Sequence, residues 1–203
     1  MIIGITGGTG CGKTTLLKAI EAAGGLVLDC DAVYHELLAT DAALLSAIEA
    51  RFPGTVENGI LQRKKLGAIV FSDKNALEAL NRITHSAIKA EILRRLETAP
   101  SLAAIDAIAL FEGGLAELCD VTVAVTAPPE DRVRRLMLRD GISGAYARSR
   151  IAAQHEEGWF RQRCGYVLEN NGNLDAFATK CLAFLRDIGI IEEERPADTN
   201  VRT

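Results

Sequence analysis

The residues best equipped for chemistry stand within the first fifteen positions. Gly7-Gly8-Thr9-Gly10-Cys11-Gly12-Lys13-Thr14 fits the pattern G-x-x-x-x-G-K-[ST], the spacing of a loop that wraps phosphate groups. Glycine at these places lets the backbone adopt dihedrals that other residues resist, so that successive N–H groups turn inward around an anion. Gly8, Gly10, Cys11 and Gly12 then supply backbone donors, Lys13 bridges β- and γ-phosphates as a point charge, the Thr14 hydroxyl faces Mg²⁺, and Thr15 adds a further donor. The chemistry implied is that of a magnesium-bound nucleoside triphosphate, ATP being the simplest choice. The competing reading is a glycine-rich turn with an exposed lysine.

The flanking elements favour the first reading. Met1 to Thr6 is apolar and β-branched like a buried parallel strand, and Leu16, Leu17 and Ile20 recur at helical spacing after the loop. A helix starting there aims its positive end at the same anion. Further buried strands are expected at Leu26–Leu28, Ala104–Phe111, Val121–Val125 and Tyr166–Leu168, alternating with helices. That alternation predicts an α/β fold, a P-loop NTPase core with a five-stranded parallel sheet, a helical substrate-binding insertion and a helical lid. The expected layout of this single domain, 1–203, is core at 1–31, 101–130 and 160–188, insertion at 32–100, lid at 131–158 and a frayed polar tail at 189–203.

Carboxylates stand where strands end, the edge at which open α/β sheets bind ligands. Asp29 and Asp31 follow the second strand, and Glu112 follows the third. Asp31 could instead cap the helix that begins near Ala32. The stretch 41–92 reads as mostly helical, with turn signals at Pro53-Gly54 and Asn58-Gly59. Leu66, Ile69, Val70 and Phe71 form one expected apolar face; Leu77, Leu80, Ala87 and Ile88 form another. Arg63 and His85 are the polar candidates of this insertion. In the lid, Val133, Leu136 and Met137 should face inward while Arg132, Arg135 and Arg139 share another face. Arg148, Arg150 and Gln154 follow on a second helix, Ser143–His155. Charged helix faces are usually solvated, but phosphoryl transfer needs arginines that close over the γ-phosphate, so Arg139 to Gln154 is read as mobile.

Composition bounds the function classes. The chain has 203 residues, 48% hydrophobic and 25% charged, with net charge −4 and pI near 5.5. These are globular values, and the acidic balance disfavours nucleic acid as a partner. No run of about 18 apolar residues offers a membrane span, and a cytoplasmic location is expected. The five cysteines lack C-x-x-C pairing, so reduced thiols are expected, with Cys11 the only one inside a site.

Five stretches together resemble the dephospho-coenzyme A kinases, P-loop kinases of the nucleoside-monophosphate-kinase type. These are Ile3 to Thr15; Leu28-Asp29-Cys30-Asp31 with His35; Leu61-Gln62-Arg63 through Phe71, then Leu80-Asn81 and His85; Leu110-Phe111-Glu112; and Arg139-Asp140 with Arg150 to Gln154 and Asn170-Asn171-Gly172. Ser86, Ile108-Ala109 and Cys30 depart from the proline, Pro-Leu and alanine usual in that family. The resemblance implies transfer of the ATP γ-phosphoryl to the ribose 3′-hydroxyl of dephospho-coenzyme A. It further implies Asp31 as base or orienter, and Arg139 and Arg150 over the transferring group. Asp29, His35, Arg63, His85 and Glu112 would then lie on the acceptor side, and Asn170 near the adenine.

Rival readings keep the loop and change the partner. A P-loop kinase for a nucleoside monophosphate or sugar acid would need less wall than residues 32–100 provide. A regulatory GTPase would carry N-K-x-D after the fourth strand and D-x-x-G after the third, and neither occurs. A module that binds ATP without turnover would have no use for Lys13, Thr14 and Asp31 together. Oligomeric state is not legible in the chain.

Overall fold

The computed structural model describes residues 1–192. In chain order the elements are β1 (Ile2–Thr6), α1 (Lys13–Ala22), β2 (Leu26–Asp29), α2 (Cys30–Thr40), α3 (Ala42–Arg51), β3 (Val56–Glu57), β4 (Ile60–Leu61), α4 (Arg63–Val70), α5 (Lys74–Leu96), β5 (Ala103–Asp106), β6 (Val121–Thr126), α6 (Pro129–Asp140), α7 (Gly144–Ala152), α8 (Glu157–Arg163), β7 (Tyr166–Glu169) and α9 (Leu174–Asp187). The main sheet is five-stranded and parallel, in the order β2-β5-β1-β6-β7. Because both faces of its centre are covered, the inner strands β1, β5 and β6 are largely buried rather than alternating, while the edge strands β2 and β7 are partly exposed. One face buries Leu16, Ile20, Phe177 and Leu185 of α1 and α9. The other packs against α2, α3 and α5 through Val33, Leu37, Ile48 and Ile92.

Several expectations are corrected. The third sheet-forming strand of the sequence reading ends at Asp106, not Phe111. The reason lies in its neighbours: Asp106 pairs with Ile5 of β1 and Asp29 of β2, after which β2 gives way to α2 and the last residue of β1, Thr6, pairs with β6 alone. Without ladder partners the next residues fold into turns, with Gly113 N–H donating to Ala109 O and Leu115 N–H to Leu110 O. Within 41–92 the Asn58-Gly59 signal is a two-stranded hairpin, β3-β4, with φ of 52° and 74° at its tip. Such positive values suit a tight hairpin turn. Ile69, Phe71 and Met137 are exposed, Phe71 at 85%, while Leu66, Val70, Val133 and Leu136 are buried as expected. A further helix, α8, follows the lid run where none was expected. The tail expectation falls mostly outside the described residues.

Candidate active site

The loop after β1 is held open by its glycines. Gly7, Gly10 and Gly12 have φ of 129°, 77° and 102°, and a Cβ on Gly7 would come within 2.1 Å of Val125 O. Gly12 is the N-cap of α1, and none of the described side chains caps that helix. Thr15 N–H donates to Gly12 O at 3.1 Å, and the remaining N–H groups of the first turn face an anion site with the helix dipole behind them. Lys13 Nζ donates to Gly7 O at 3.2 Å and stands 3.8 Å from Asp106 Oδ1.

Around this loop opens a cleft of about 660 Å³, walled by Thr9 to Thr14, Asp29, Asp31, Asp106, Arg135, Arg139, Arg150 and Gln154. Beside it lies a second cavity of about 250 Å³, lined by Cys30, Tyr34, Asn81, Thr84 and His85 among others. Asp31 belongs to both. Its carboxylate is free because the cap of α2 is Asp29, whose Oδ1 accepts from the N–H groups of Asp31 (2.9 Å) and Ala32 (3.1 Å). The capping role weighed for Asp31 therefore falls to its neighbour. Cys30 in the second cavity corrects the expectation that Cys11 alone lies in a site. All five thiols are free, and burial pushes Cys11 up and Cys30 to about 12, so neither is a ready thiolate.

Asp106 is the acidic residue that sequence reasoning missed. Its Oδ1 is buried without a hydrogen-bond partner among the described residues. Burial raises its pKa to about 6; Lys13 opposes the shift, and Asp29 and Asp31 add to it. The strand ends at Ile105-Asp106, inside an apolar run that continues for five residues to Phe111.

Arg139 and Arg150 both reach the nucleotide cleft and share one carboxylate: Arg139 Nε donates to Asp140 Oδ1 at 2.6 Å and Arg150 Nη1 to Asp140 Oδ2 at 2.7 Å. Those bonds, Arg139 first, hold Asp140 at about 2. Arg132 and Arg135, noted in the sequence only as part of a face, bind the loop directly. Arg132 Nε donates to Thr9 O at 2.8 Å, and Arg135 Nη1 donates to Gly10 O and Cys11 O at 3.3 Å each. Gln154 Oε1 accepts from Thr9 N–H at 2.8 Å and from Arg132 at 3.0 Å.

Other expected residues lie outside the cleft walls. Gly8 sits under the Arg132 guanidinium, and Thr15, the third residue of α1, follows directly after the last loop residue of the wall. Asn170 is buried; its Nδ2 donates to Cys11 O at 2.9 Å and its Oδ1 accepts from Arg135. It also borders a separate hollow of about 160 Å³ with Asn171 and Pro128. His35 and Arg63 meet at 3.3 Å across α2 and α4, away from both cavities. Arginine only donates, so His35 Nδ1 is the acceptor. Glu112 lines neither cavity and is hydrogen-bonded to His155.

A two-cavity site with a phosphate loop in one chamber and a carboxylate between the chambers suits group transfer between two substrates. The sequence model of the dephospho-CoA kinase family matches residues 1–176. The chain belongs to that family. It is 38% identical over 182 residues to a dephospho-CoA kinase from Moorella thermoacetica, covering 86% of each chain. Among solved structures, TT1252 from Thermus thermophilus superposes with a TM-score of 0.78 at 34% identity, covering 93% of this chain and 97% of that one. A dephospho-CoA kinase from Campylobacter jejuni gives 0.64 at 25% identity, over 92% and 96%. This chain is accordingly an ATP-dependent kinase with a P-loop core.

Proposed function

We propose that the chain transfers the ATP γ-phosphoryl to the ribose 3′-hydroxyl of dephospho-CoA through Asp31. The observation that carries this reading is the place of Asp31 in the wall common to the phosphate-loop cleft and the neighbouring cavity. A hydroxyl entering from the second cavity meets a carboxylate that accepts its hydrogen bond and aims the oxygen at the γ-phosphorus. Since phosphoryl transfer passes through a loose transition state, aim contributes more than complete proton removal. Lys13 leaves Gly7 O for the β- and γ-phosphates, and Arg139 and Arg150 spread over the equatorial oxygens. His85 lines the acceptor cavity; the adenine of ATP lies toward Asn170.

The donor set fits Mg²⁺. Thr14 is exposed and lines the cleft, as does Asp106, whose Oδ1 is buried without a hydrogen-bond partner among the described residues. Among the described residues no three His, Cys, Asp or Glu side chains form a metal-binding group, as befits a cation that takes one or two protein ligands and its remainder from phosphates and water. Such a cation neutralises charge on the β- and γ-oxygens. The alternative, another acceptor such as a nucleoside monophosphate or a sugar acid, has no observation in its favour.

The test is ADP release by the purified protein with ATP and Mg²⁺, comparing dephospho-CoA with adenosine, AMP and gluconate. Saturable release with dephospho-CoA alone, yielding CoA, is expected. Release with another acceptor instead overturns the proposal.

A further inference from the structure

The turns after β5 touch both halves of the site. Gly113 lines the acceptor cavity, where a Cβ on it would lie 3.8 Å from the His85 ring. The two residues before it face the other way. Phe111 meets Trp159 of α8 edge-on, with ring centroids 5.7 Å apart. Glu112 Oε1 lies 2.6 Å from His155 Nε2. A carboxylate only accepts, so His155 carries a proton on Nε2 and donates it. The same imidazole stacks on Trp159 at 3.9 Å with the planes 4° apart, and Trp159 packs edge-on against buried Phe160.

His155 directly follows Gln154, which takes Thr9 N–H and Arg132. Two consecutive lid residues thus hold two different walls: Gln154 the phosphate loop, His155 the acceptor-side turn. The lid carrying Arg150 cannot move off the nucleotide cleft as one body without releasing Glu112. Conversely, a ligand pressing on Gly113 moves the turn to which His155 is tied. Half-exposed polar contacts such as this one are weak enough to open and re-form.

We propose that His155 and Glu112 are positioning residues of the phosphoryl transfer: they clasp the acceptor-side turn to the lid, so that acceptor and nucleotide binding reinforce each other. This rests on the reading of dephospho-CoA as acceptor. Neither residue need touch a substrate. Coupling of this kind is reciprocal, the factor by which one ligand tightens the other being the same in both directions.

The test measures that factor. The dissociation constant of a non-hydrolysable ATP analogue with Mg²⁺ is determined calorimetrically with and without saturating dephospho-CoA. The wild type is expected to show a tightening of about fivefold or more. His155→Ala and Glu112→Ala are expected to bring the factor to near one, while the analogue bound alone changes by less than about threefold. His155→Gln, which keeps an N–H donor for Glu112, should recover part of the coupling, a result that loss of packing alone would not give. Trp159 is the only tryptophan of the chain, and dephospho-CoA should shift its emission in the wild type before any nucleotide is added.

A factor unchanged in both variants overturns the clasp and leaves the proposed function intact. So does a wild type that binds both ligands independently. A wild type that neither binds nor phosphorylates dephospho-CoA overturns the acceptor reading itself, and the clasp as stated falls with it. Thermal melts of each variant identify any misfolded one, in which case the conservative Gln variant at the same clasp decides.

Discussion

Asp106→Asn should make the empty protein more stable and the enzyme worse. In the folded chain the Asp106 carboxyl is pushed from 3.8 to about 6, chiefly by burial. Holding it ionised at pH 8 therefore costs the fold about 3 kcal/mol relative to the unfolded chain. Asparagine has nearly the same shape and no charge, but its amide N–H groups need partners, and this returns part of the gain. A net gain of about 1–2 kcal/mol is expected, which raises the melting temperature by about 3–6 °C for a chain of this size. The sign with pH follows from the raised value: the folded state holds the proton more tightly, so the contribution of Asp106 to stability falls as pH rises from about 4 to about 6 and is level above. The advantage of the variant is full above pH 6 and gives way below pH 4 to a small deficit, because there only the cost of the unpaired amide remains. The assay is thermal unfolding followed by circular dichroism, in EDTA and without nucleotide, across this range. In the same variant kcat should fall at least about tenfold, since the negative charge and one of the two oxygens available to Mg²⁺ are lost. A variant that melts at or below wild type at pH 8, or whose gain persists at pH 4, would refute the reasoning.

Three further substitutions probe the site. Asp31→Asn should lower kcat by about two or more powers of ten with ATP affinity near normal; unchanged turnover would reduce Asp31 to a surface residue at a helix start. Lys13→Ala should weaken ATP binding by calorimetry and slow turnover together, and intact activity would remove the phosphate loop from the mechanism. Gly12→Ala forces a side chain into φ 102° and to within 2.3 Å of Asn170 Nδ2, which should destabilise by about 1–3 kcal/mol and loosen ATP. A melting temperature within about 1 °C of wild type would show that the loop relaxes freely.

What the sequence determined by itself is whatever depends on neighbours along the chain. The phosphate loop, its strand and its helix are read from spacing because a turn of glycines followed by Lys13 and Thr14 is a local object. The five parallel strands follow from apolar runs between helices, and spacing along the chain places Asp31 just past a strand's end and Arg132, Arg135 and Arg139 on one helix. What only the tertiary structure decided are matters of termination and partnership. Where β5 stops depends on where its pairing with β1 and β2 ends, so Asp106 was hidden inside an apolar run that continues to Phe111. Whether Asp29 or Asp31 capped α2 turned on which oxygen reached the first-turn N–H groups. The bonds of Arg132 and Gln154 to Thr9, and of His155 to Glu112, join residues 123, 145 and 43 positions apart. No periodicity encodes such pairs, because a side-chain hydrogen bond is set by position in space to within a few tenths of an ångström.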